Sequence, residues 1–465
     1  MLTQADRPAG RAGAAQALRT QPVHDRIDAV ANALRALSRV SVRGRIAGLT
    51  GLMVEVDGIA KLLAVGDRLV ATARDGRRVP LEVVGFRGGK AQAMALGDLA
   101  GLGPGLWAEK INGPGLAVTD TWLGRVIDPL GHAIDGLGPL PRGQVARPVR
   151  ASPPTATARA RLGPRLPLGV RVLDLFTACR QGQRLGLFAG SGVGKSTLMA
   201  SLARKADCDV AVIALVGERG REVREFVEDD LGPQGLARSV VVVATSDAPP
   251  LMRREAAYSA MAVAEHFRDQ GKRVLLMMDS VTRFCLALRE IGLSAGEPPA
   301  TRGYPPSVFA ELPKLLERAG PGIEGTGGSI TGLFTVLVEG DDHDEPVADA
   351  VRGILDGHVV LDRRIGERGR YPAVDVLRSL SRAASGILTD EQKALVARAR
   401  RLLSIHADME DMVRLGAWKP GADPEVDEAV RRAPAIEAVL AQEKAEADTP
   451  EAAFAKLAAA LEGEV

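Results

Sequence analysis

One segment of this sequence combines the residue types that bind phosphate, namely glycines, a lysine and three hydroxyl side chains. It consists of Ala189, Gly190, Ser191, Gly192, Val193, Gly194, Lys195, Ser196 and Thr197. In a phosphate-binding loop, glycines let backbone N–H groups curl around the β-phosphate, and the following helix adds partial positive charge at its N-terminus. We expect Lys195 to reach the β- and γ-phosphates and the Ser196 hydroxyl to hold Mg²⁺. The segment therefore predicts a site for a nucleotide and Mg²⁺.

The sequence on either side of this segment has the pattern that such a loop requires. Residues 184–188 form an apolar run typical of a buried strand, and residues 197–205 have the pattern of a helix. The first position of the eight-residue motif is Ala189, where the usual pattern has glycine. A chance glycine-rich turn is the alternative, and the strand and helix context favours the nucleotide loop.

Two acidic residues follow other apolar runs. Glu218 comes soon after the run that ends at Val216, and Asp279 ends the run over 273–278. Alone, either could be a solvated residue at the end of a strand. Because the carboxyl ends of parallel strands meet at one edge of a sheet, we expect both carboxylates to lie near Lys195. There Glu218 would orient and polarise the attacking water, and Asp279 would hold Mg²⁺ through water.

Phosphoryl transfer also requires positive charge around the γ-phosphate, and one well-placed arginine can be worth ~10³ to 10⁵ in rate. The candidates are Arg219, Arg283 and Arg382. The chain carries 60 Lys and Arg residues. By position alone each candidate could equally form a surface ion pair, so the sequence does not rank them.

The wider pattern divides the chain into regions of different character. Short alternating segments indicate a small β-barrel. Apolar runs that alternate with helices then indicate a parallel sheet covered on both faces, and capped helices end the chain. We expect a multidomain α/β protein with a flexible arm and amphipathic helix at 1–38, a barrel at 39–100, a parallel-sheet domain at 101–383 and a helical domain at 384–465. The amphipathic helix either caps the barrel or docks on a partner.

Composition excludes several classes of protein. The 465 residues are 46% hydrophobic and 25% charged with a net charge of +2, which excludes a disordered chain and any global attraction to nucleic acid or anionic lipid. Cys179, Cys208 and Cys285 form no CxxC pair, so no disulfide framework or zinc site is predicted. No apolar run approaches the ~18 residues of a membrane span, and no signal peptide is evident, which favours a cytoplasmic location.

Several segments together resemble the rotary-ATPase catalytic-subunit family, and within it the ATPases of flagellar protein export and of virulence secretion. They are residues 124–131, 189–196, 217–219, 279–283, 302–307, 355–358 and 371–382. The resemblance spans about residues 25 to 440. It implies a β-barrel, a RecA-like P-loop domain and a helical C-terminal domain, assembled as a homo-hexamer with each ATP site at a subunit boundary.

The resemblance also implies roles for single residues. Glu218 matches the water-activating glutamate and Asp279 the Mg²⁺-associated aspartate. Arg219 and Arg283 match contacts to the γ-phosphate, whereas Arg382 matches the arginine offered to the neighbouring subunit's nucleotide.

Two aromatic residues bear on the base of the nucleotide. Tyr371 matches the aromatic side chain that stacks on adenine. Trp418 stands where export members usually have tyrosine. Trp418 either lines the adenine pocket or only packs against neighbouring residues.

The function implied is that of an ATP-driven motor that releases chaperones and feeds flagellar proteins into an export gate. The implied partners are a regulator bound to the N-terminal helix, a coiled-coil central stalk protein, export gate membrane proteins and chaperone–substrate complexes. Membrane contact would be peripheral, at the inner-membrane base of the flagellum, and no nucleic acid is expected.

Other functions remain as alternatives. The ATPase of a virulence-type type III secretion system shares these motifs, whereas segments 302–307 and 339–342 fit an ATP synthase catalytic subunit badly. A non-catalytic subunit would lack Glu218. An RNA-translocating hexamer would need stacking aromatics, and Phe86 is the only aromatic between residues 40 and 105.

An acidic run at 338–346 has two interpretations. It is either a solvated loop or a segment that couples the ATP state to the ring centre or to a neighbouring subunit. His343 has no second histidine at ligand spacing, which argues against zinc.

Overall fold

The computed structural model describes residues 41–111, 113, 115–338 and 345–463. The predicted arm and helix at 1–38 lie outside the described residues, as does most of the acidic run.

A closed barrel of six antiparallel strands forms the N-terminal part of the described chain. Around the barrel the order is β1-β2-β5-β4-β3-β6, and the strands are β1 (Arg43–Thr50), β2 (Met53–Asp57), β3 (Arg68–Thr72), β4 (Arg78–Arg87), β5 (Lys90–Ala95) and β6 (Trp107–Ile111). Alternating apolar residues such as Leu69 and Leu81 fill the interior. Strand β6 lies beyond residue 100, where we placed the boundary, because it closes the barrel by pairing with β1 and β3.

The remaining strands form the central sheet and three short pairings. They are β7 (Gly115–Leu116), β8 (Arg125–Ile127), β9 (Arg147–Pro148), β10 (Arg165–Leu166), β11 (Cys179–Arg180), β12 (Arg184–Ala189), β13 (Val210–Glu218), β14 (Ser239–Thr245), β15 (Arg273–Asp279), β16 (Gly320–Pro321), β17 (Ser329–Leu337), β18 (Gly357–Leu361) and β19 (Val374–Ser381). The short pairings are β7 with β9, β10 with β11, and β16 with β17.

The central sheet has the order β19-β18-β12-β17-β15-β13-β14-β8. All neighbours along this path are parallel except β18 and β19. The five apolar runs that predicted strands correspond to β12, β13, β14, β15 and β17. All nine residues of β13 are buried, as expected for a strand in a sheet covered on both faces. The predicted fold class is confirmed.

Helices cover both faces of this sheet and make up the C-terminal part of the chain. The α-helices are Arg171–Phe176, Lys195–Lys205, Gly220–Glu225, Gly232–Ala237, Pro250–Arg268, Val281–Ala295, Pro306–Leu316, Pro346–Ile354, Arg363–Glu367, Asp390–Arg414, Pro424–Leu440 and Pro450–Glu462. A π-helical turn spans Phe226–Leu231, and 3-10 turns lie at Ala60–Leu62, Asp120–Trp122, Thr301–Gly303 and Ala384–Gly386. Consecutive residues of a strand point to opposite faces of the sheet. Leu187 and Phe188 on β12 therefore enter two separate apolar cores.

The last three helices begin where their capping residues predict. Thr389 and Gln392 form the capping box before Asp390–Arg414, and the side chains of Asp423 and Thr449 cap the next two helices. Apolar residues of these helices, including Leu402, join the same core as one face of the central sheet. The C-terminal helices are therefore packed on the central domain by hydrophobic contact.

Charged side chains join the barrel to the central domain. Glu82 on β4 lies 3.0 Å from Arg68 on β3 and 2.7 Å from Arg254, which belongs to the helix Pro250–Arg268. Arg68 in turn lies 2.8 Å from Glu255 on the same helix. All four side chains are buried, so each charge depends on its partners for compensation. This network fixes the barrel on one helix of the sheet domain.

Candidate active site

The predicted phosphate loop lies between β12 and the helix that begins at Lys195. Gly192 and Gly194 have φ angles of 78° and 87°, in the left-handed region that favours glycine. Residues 190–192 and 194–197 line a cavity of about 650 Å³. The cavity therefore includes the N-terminus of the helix that begins at Lys195. The backbone N–H groups at such a helix end bind phosphate.

Two residues that line this cavity, Lys195 and Glu218, come together with Asp279, each from a different strand of the sheet. The Lys195 amine contacts Asp279 Oδ1 and lies 3.9 Å from Glu218 Oε1. Each of the three follows or ends a strand at the carboxyl edge of the sheet, on β12, β15 and β13 respectively. The structure brings together the groups that the sequence analysis placed at one edge.

Burial changes the acidity of Glu218. Two effects raise the pKa of Glu218 to about 7: the larger is the loss of solvent on burial, and the smaller is repulsion by the adjacent Asp279 carboxylate. The positive charges of Lys195 and Arg283 act in the opposite direction. A carboxylate with a pKa near neutrality is a more effective proton acceptor than an ordinary glutamate. Glu218 therefore has the proton affinity that a general base needs at physiological pH.

The two arginines expected at the γ-phosphate lie in different surroundings. Arg283 Nε lies 3.3 Å from Glu218 Oε1, and its guanidinium donates a 2.6 Å hydrogen bond to the Gly217 carbonyl. A Cβ added to Gly217 would lie 2.9 Å from Arg283 Cδ, so this position needs glycine. Arg219 lines the same cavity, but its side chain is 78% exposed and pairs with Glu222 at 3.1 Å. Arg283 is therefore held in place, whereas Arg219 is only loosely anchored.

Arg363 also lines this cavity and was missed by the sequence analysis. It begins the helix after β18, and its guanidinium donates to the Ser191 carbonyl at 3.0 Å. The signal that could have found it is its place directly after β18, which pairs in parallel with β12 and so ends beside the loop.

The donor set fits Mg²⁺. Ser196 lines the phosphate cavity, and the buried Asp279 carboxylate contacts Lys195, which lines the same cavity. One hydroxyl and one carboxylate, with the remaining positions left to phosphate and water, match the preference of Mg²⁺ for few protein ligands.

A second cavity, of about 760 Å³, adjoins the first. Gly194 and Thr197 line both cavities, and Tyr371 lines the second. The Tyr371 ring lies against the loop, since a Cβ added to Gly194 would be 3.5 Å from it. The opposite wall includes residues 441–444 and Glu446, between the last two helices. This segment was also missed, because its Ala- and Glu-rich sequence carries no recognisable motif.

Trp418 lies outside both cavities. It stands in the connection between the helices Asp390–Arg414 and Pro424–Leu440, where its backbone N–H donates to the Met412 carbonyl at 3.3 Å. Its place at the adenine pocket therefore stays a prediction.

Arg382 lies near the amino ends of the parallel strands, opposite to the carboxyl ends that carry the phosphate loop. It follows β19, whose last residue Ser381 pairs with Gly357 at the start of β18. Its N–H donates to the Asp356 carbonyl at 3.0 Å, and the Asp356 N–H donates to Arg184 at the start of β12. The phosphate loop begins at the other end of β12, roughly 17 Å away. Arg382 is thus remote from the phosphate loop of its own chain.

No helix in the described part of the chain has both the length and the apolar composition needed to cross a membrane.

Comparisons with known proteins agree with this geometry. The family model for the ATP synthase alpha/beta family, nucleotide-binding domain, matches residues 169–381. The model for the T3SS EscN ATPase C-terminal domain matches residues 388–459. The matched regions contain the phosphate loop and the C-terminal helices respectively.

Relatives and solved structures align with most of the chain. The flagellum-specific ATP synthase of Caulobacter vibrioides is 53% identical over 437 residues, which are 93% of this chain and 98% of that protein. The flagellum-specific ATP synthase of Salmonella typhimurium is 46% identical, over 86% of this chain and 89% of that protein. The assembled ATPase EscN of the enteropathogenic E. coli type III secretion system superimposes with a TM-score of 0.83 at 38% identity, over 90% of this chain and 100% of that one. The chain therefore belongs to the ATP synthase alpha/beta family, in the group that contains the flagellum-specific and type III secretion ATPases.

Proposed function

We propose that this protein is the ATP-hydrolysing motor of a flagellar protein export apparatus, which couples ATP turnover to chaperone release and export. The observation that carries the proposal is the meeting of Lys195, Glu218 and Asp279 at one edge of the sheet, with a Glu218 pKa of about 7. Relatives of the flagellum-specific type reach 53% identity, whereas a solved ATPase from the type III secretion system of pathogenic bacteria is 43% identical over 75% of this chain. The flagellar function is therefore favoured over virulence secretion and over an ATP synthase catalytic subunit.

The chain's own residues account for the hydrolytic step. Lys195 leaves Asp279 to hold the β- and γ-phosphates, while backbone N–H groups of the loop cradle them. Glu218 accepts the proton of the attacking water, and Arg283, anchored on the Gly217 carbonyl, supplies positive charge beside it. Mg²⁺, when bound near Ser196 and Asp279, neutralises charge on the phosphate oxygens.

The base of ATP would lie in the second cavity. Tyr371 offers an aromatic face next to the loop, and the segment 441–446 closes the opposite side. Because Gly194 and Thr197 line both cavities, one nucleotide can occupy the two together.

We place each complete site at a boundary between subunits of a homo-hexamer. The position of Arg382 supports this, since it lies on the sheet edge away from its own loop and is available to a neighbour's nucleotide. EscN is described as an assembled ATPase and has a structure in complex with its central stalk EscO, which superimposes with a TM-score of 0.81. We extend the assembly and a coiled-coil central stalk to this protein.

The other partners follow from the same function. They are a regulator on the N-terminal helix, the export gate membrane proteins and chaperone–substrate complexes. The expected location is the cytoplasmic side of the inner membrane at the flagellar base, with peripheral contact only.

A mixing experiment tests the shared site. Arg382→Ala and Lys195→Ala should each abolish most ATP turnover, because each removes one half of every site. Mixed rings should regain part of the activity, since some boundaries then combine an intact loop with an intact Arg382. Steady-state ATPase assays over a range of mixing ratios measure this, with mixed assembly checked by differently tagged subunits. Mixed rings that stay inactive would contradict the assignment of Arg382.

A further inference from the structure

A buried threonine hydroxyl contacts the carboxylate of Asp279 from the neighbouring strand. Thr335 lies on β17, between β12 and β15, and its side chain is fully buried. Thr335 Oγ1 donates to Asp279 Oδ1 at 2.8 Å and lies 3.1 Å from the Met278 carbonyl oxygen.

Packing alone does not require a hydroxyl at this position. Leu333, on the same face of β17 as Thr335, is apolar and buried, and valine has nearly the same shape as threonine. A buried hydroxyl is costly unless it forms a hydrogen bond. Its shorter contact is with the carboxylate, and hydrogen bonds to a charged acceptor are the stronger ones. The hydroxyl therefore serves Asp279.

The contact gains importance when nucleotide binds. Asp279 Oδ1 receives both the Lys195 amine and the Thr335 hydroxyl. Lys195 must turn to the phosphates in the proposed hydrolytic step, and its hold on the carboxylate is then weakened. Thr335 remains, because its strand is fixed between two others in the centre of the sheet.

We propose that Thr335 is a positioning residue for the metal site, an inference that rests on the proposed ATPase function. Its hydroxyl holds Oδ1 of Asp279 and so fixes the carboxylate in the orientation from which it would hold Mg²⁺ through water. Partners of this kind fix the orientation of metal-associated carboxylates and tune metal affinity.

The test compares three variants. Thr335→Val removes the hydroxyl at nearly constant volume, and Thr335→Ser keeps it. Thr331→Val is the matched control, because Thr331 is buried on the same strand and face but accepts a hydrogen bond from the Gly182 N–H at 3.0 Å, away from Asp279. The free chain is titrated with ADP by calorimetry, once with Mg²⁺ and once with EDTA, and the Mg²⁺ dependence of ATP turnover is measured.

In Thr335→Val we expect the Mg²⁺ concentration for half-maximal turnover to rise ~10-fold, as for other outer partners of metal ligands. Affinity for ADP should fall with Mg²⁺ and stay unchanged in EDTA. Thr335→Ser and Thr331→Val should keep the wild-type Mg²⁺ dependence.

Two results would overturn the assignment of Thr335. One is a normal Mg²⁺ dependence in Thr335→Val, and the other is an equal shift in Thr331→Val. If thermal unfolding shows that the valine variant does not fold, Thr335→Ala replaces it with the same expectations. A wild-type protein without Mg²⁺-dependent turnover would instead refute the ATPase function itself, so the two failures are distinguishable.

Discussion

The phosphate cavity and the base cavity adjoin each other but are built in different ways. The phosphate cavity is lined by Lys195 and Glu218, and Asp279 contacts Lys195; all three follow or end strands that are neighbours or near neighbours in one sheet. The base cavity brings Tyr371 against residues 441–446, which belong to the C-terminal helical region. The first is fixed by backbone hydrogen bonding, whereas the second depends on contacts between two domains.

Arg171 is the main polar anchor of the base cavity. Its buried guanidinium lies 2.7 Å from Asp448 and 2.8 Å from Glu446 and also contacts the Ala441 carbonyl. Its backbone N–H donates to Gln442 Oε1 at 2.8 Å. One residue of the central domain thus holds the connection that closes the cavity.

Gln442 links that connection to both walls. Its backbone N–H donates to the Tyr371 carbonyl at 2.8 Å, and its side-chain amide donates to the Gly169 carbonyl at 3.2 Å. The difference between the cavities implies a division of labour. Changes at the phosphate cavity should alter kcat, whereas changes at the base cavity should alter mainly KM.

The largest effect is expected at Glu218. Glu218→Gln should lower kcat by ~10² to 10⁴, because it removes the proton acceptor while keeping the shape of the side chain. Affinity for ATP should change little, since the phosphate loop is untouched. Steady-state ATPase assays measure kcat, and binding of a fluorescent ATP analogue measures the affinity. Glu225→Gln is the control and should keep most activity, because Glu225 lies outside the cavity and pairs with the exposed Arg221. Unchanged turnover in Glu218→Gln would refute the role of the glutamate.

A smaller effect, of the opposite kind, is expected at Arg171. Arg171→Gln should raise the KM for ATP ~10-fold with kcat within about twofold, because uniform binding is lost when the base cavity loosens. Lys456→Gln removes only the exposed partner of Asp448, 2.8 Å away, and should leave both constants near wild type. Steady-state kinetics at saturating Mg²⁺ decide the matter. A fall in kcat with unchanged KM would show that the two cavities are not separable in this way.

The same contrast explains what the sequence could predict. The phosphate loop is a local motif, and Glu218 and Asp279 each follow a recognisable apolar run, so their convergence follows from the parallel sheet. The segment 441–446 carries no local signal, and its role arises only from the fold around Arg171. Strand β6 was likewise hidden, because a Gly-rich stretch precedes it and its pairing partners lie far away in sequence. The spacing of residues along the sequence does not predict contacts between segments that are far apart in the chain.

The smallest effect concerns the stability of the nucleotide-free protein. The pKa of Glu218 is raised to about 7 from 4.5, so the folded state holds this proton more tightly than the unfolded chain does. The protonated Glu218 therefore contributes fully to the stability of the folded protein below pH 4.5, and this contribution is lost as pH rises through 7. Glutamine stays neutral throughout and avoids the loss.

Glu218→Gln should accordingly melt at nearly the wild-type temperature at pH 5 and higher at pH 8, by on the order of 2 °C. Differential scanning calorimetry at both pH values, without nucleotide, measures the difference, and Glu225→Gln serves again as the control. An equal difference at pH 5 and pH 8 would mean that the charge of Glu218 costs the fold nothing. The phosphate cavity would then not differ in this respect from the base cavity, where the charges of Arg171, Glu446 and Asp448 stabilise the closed connection.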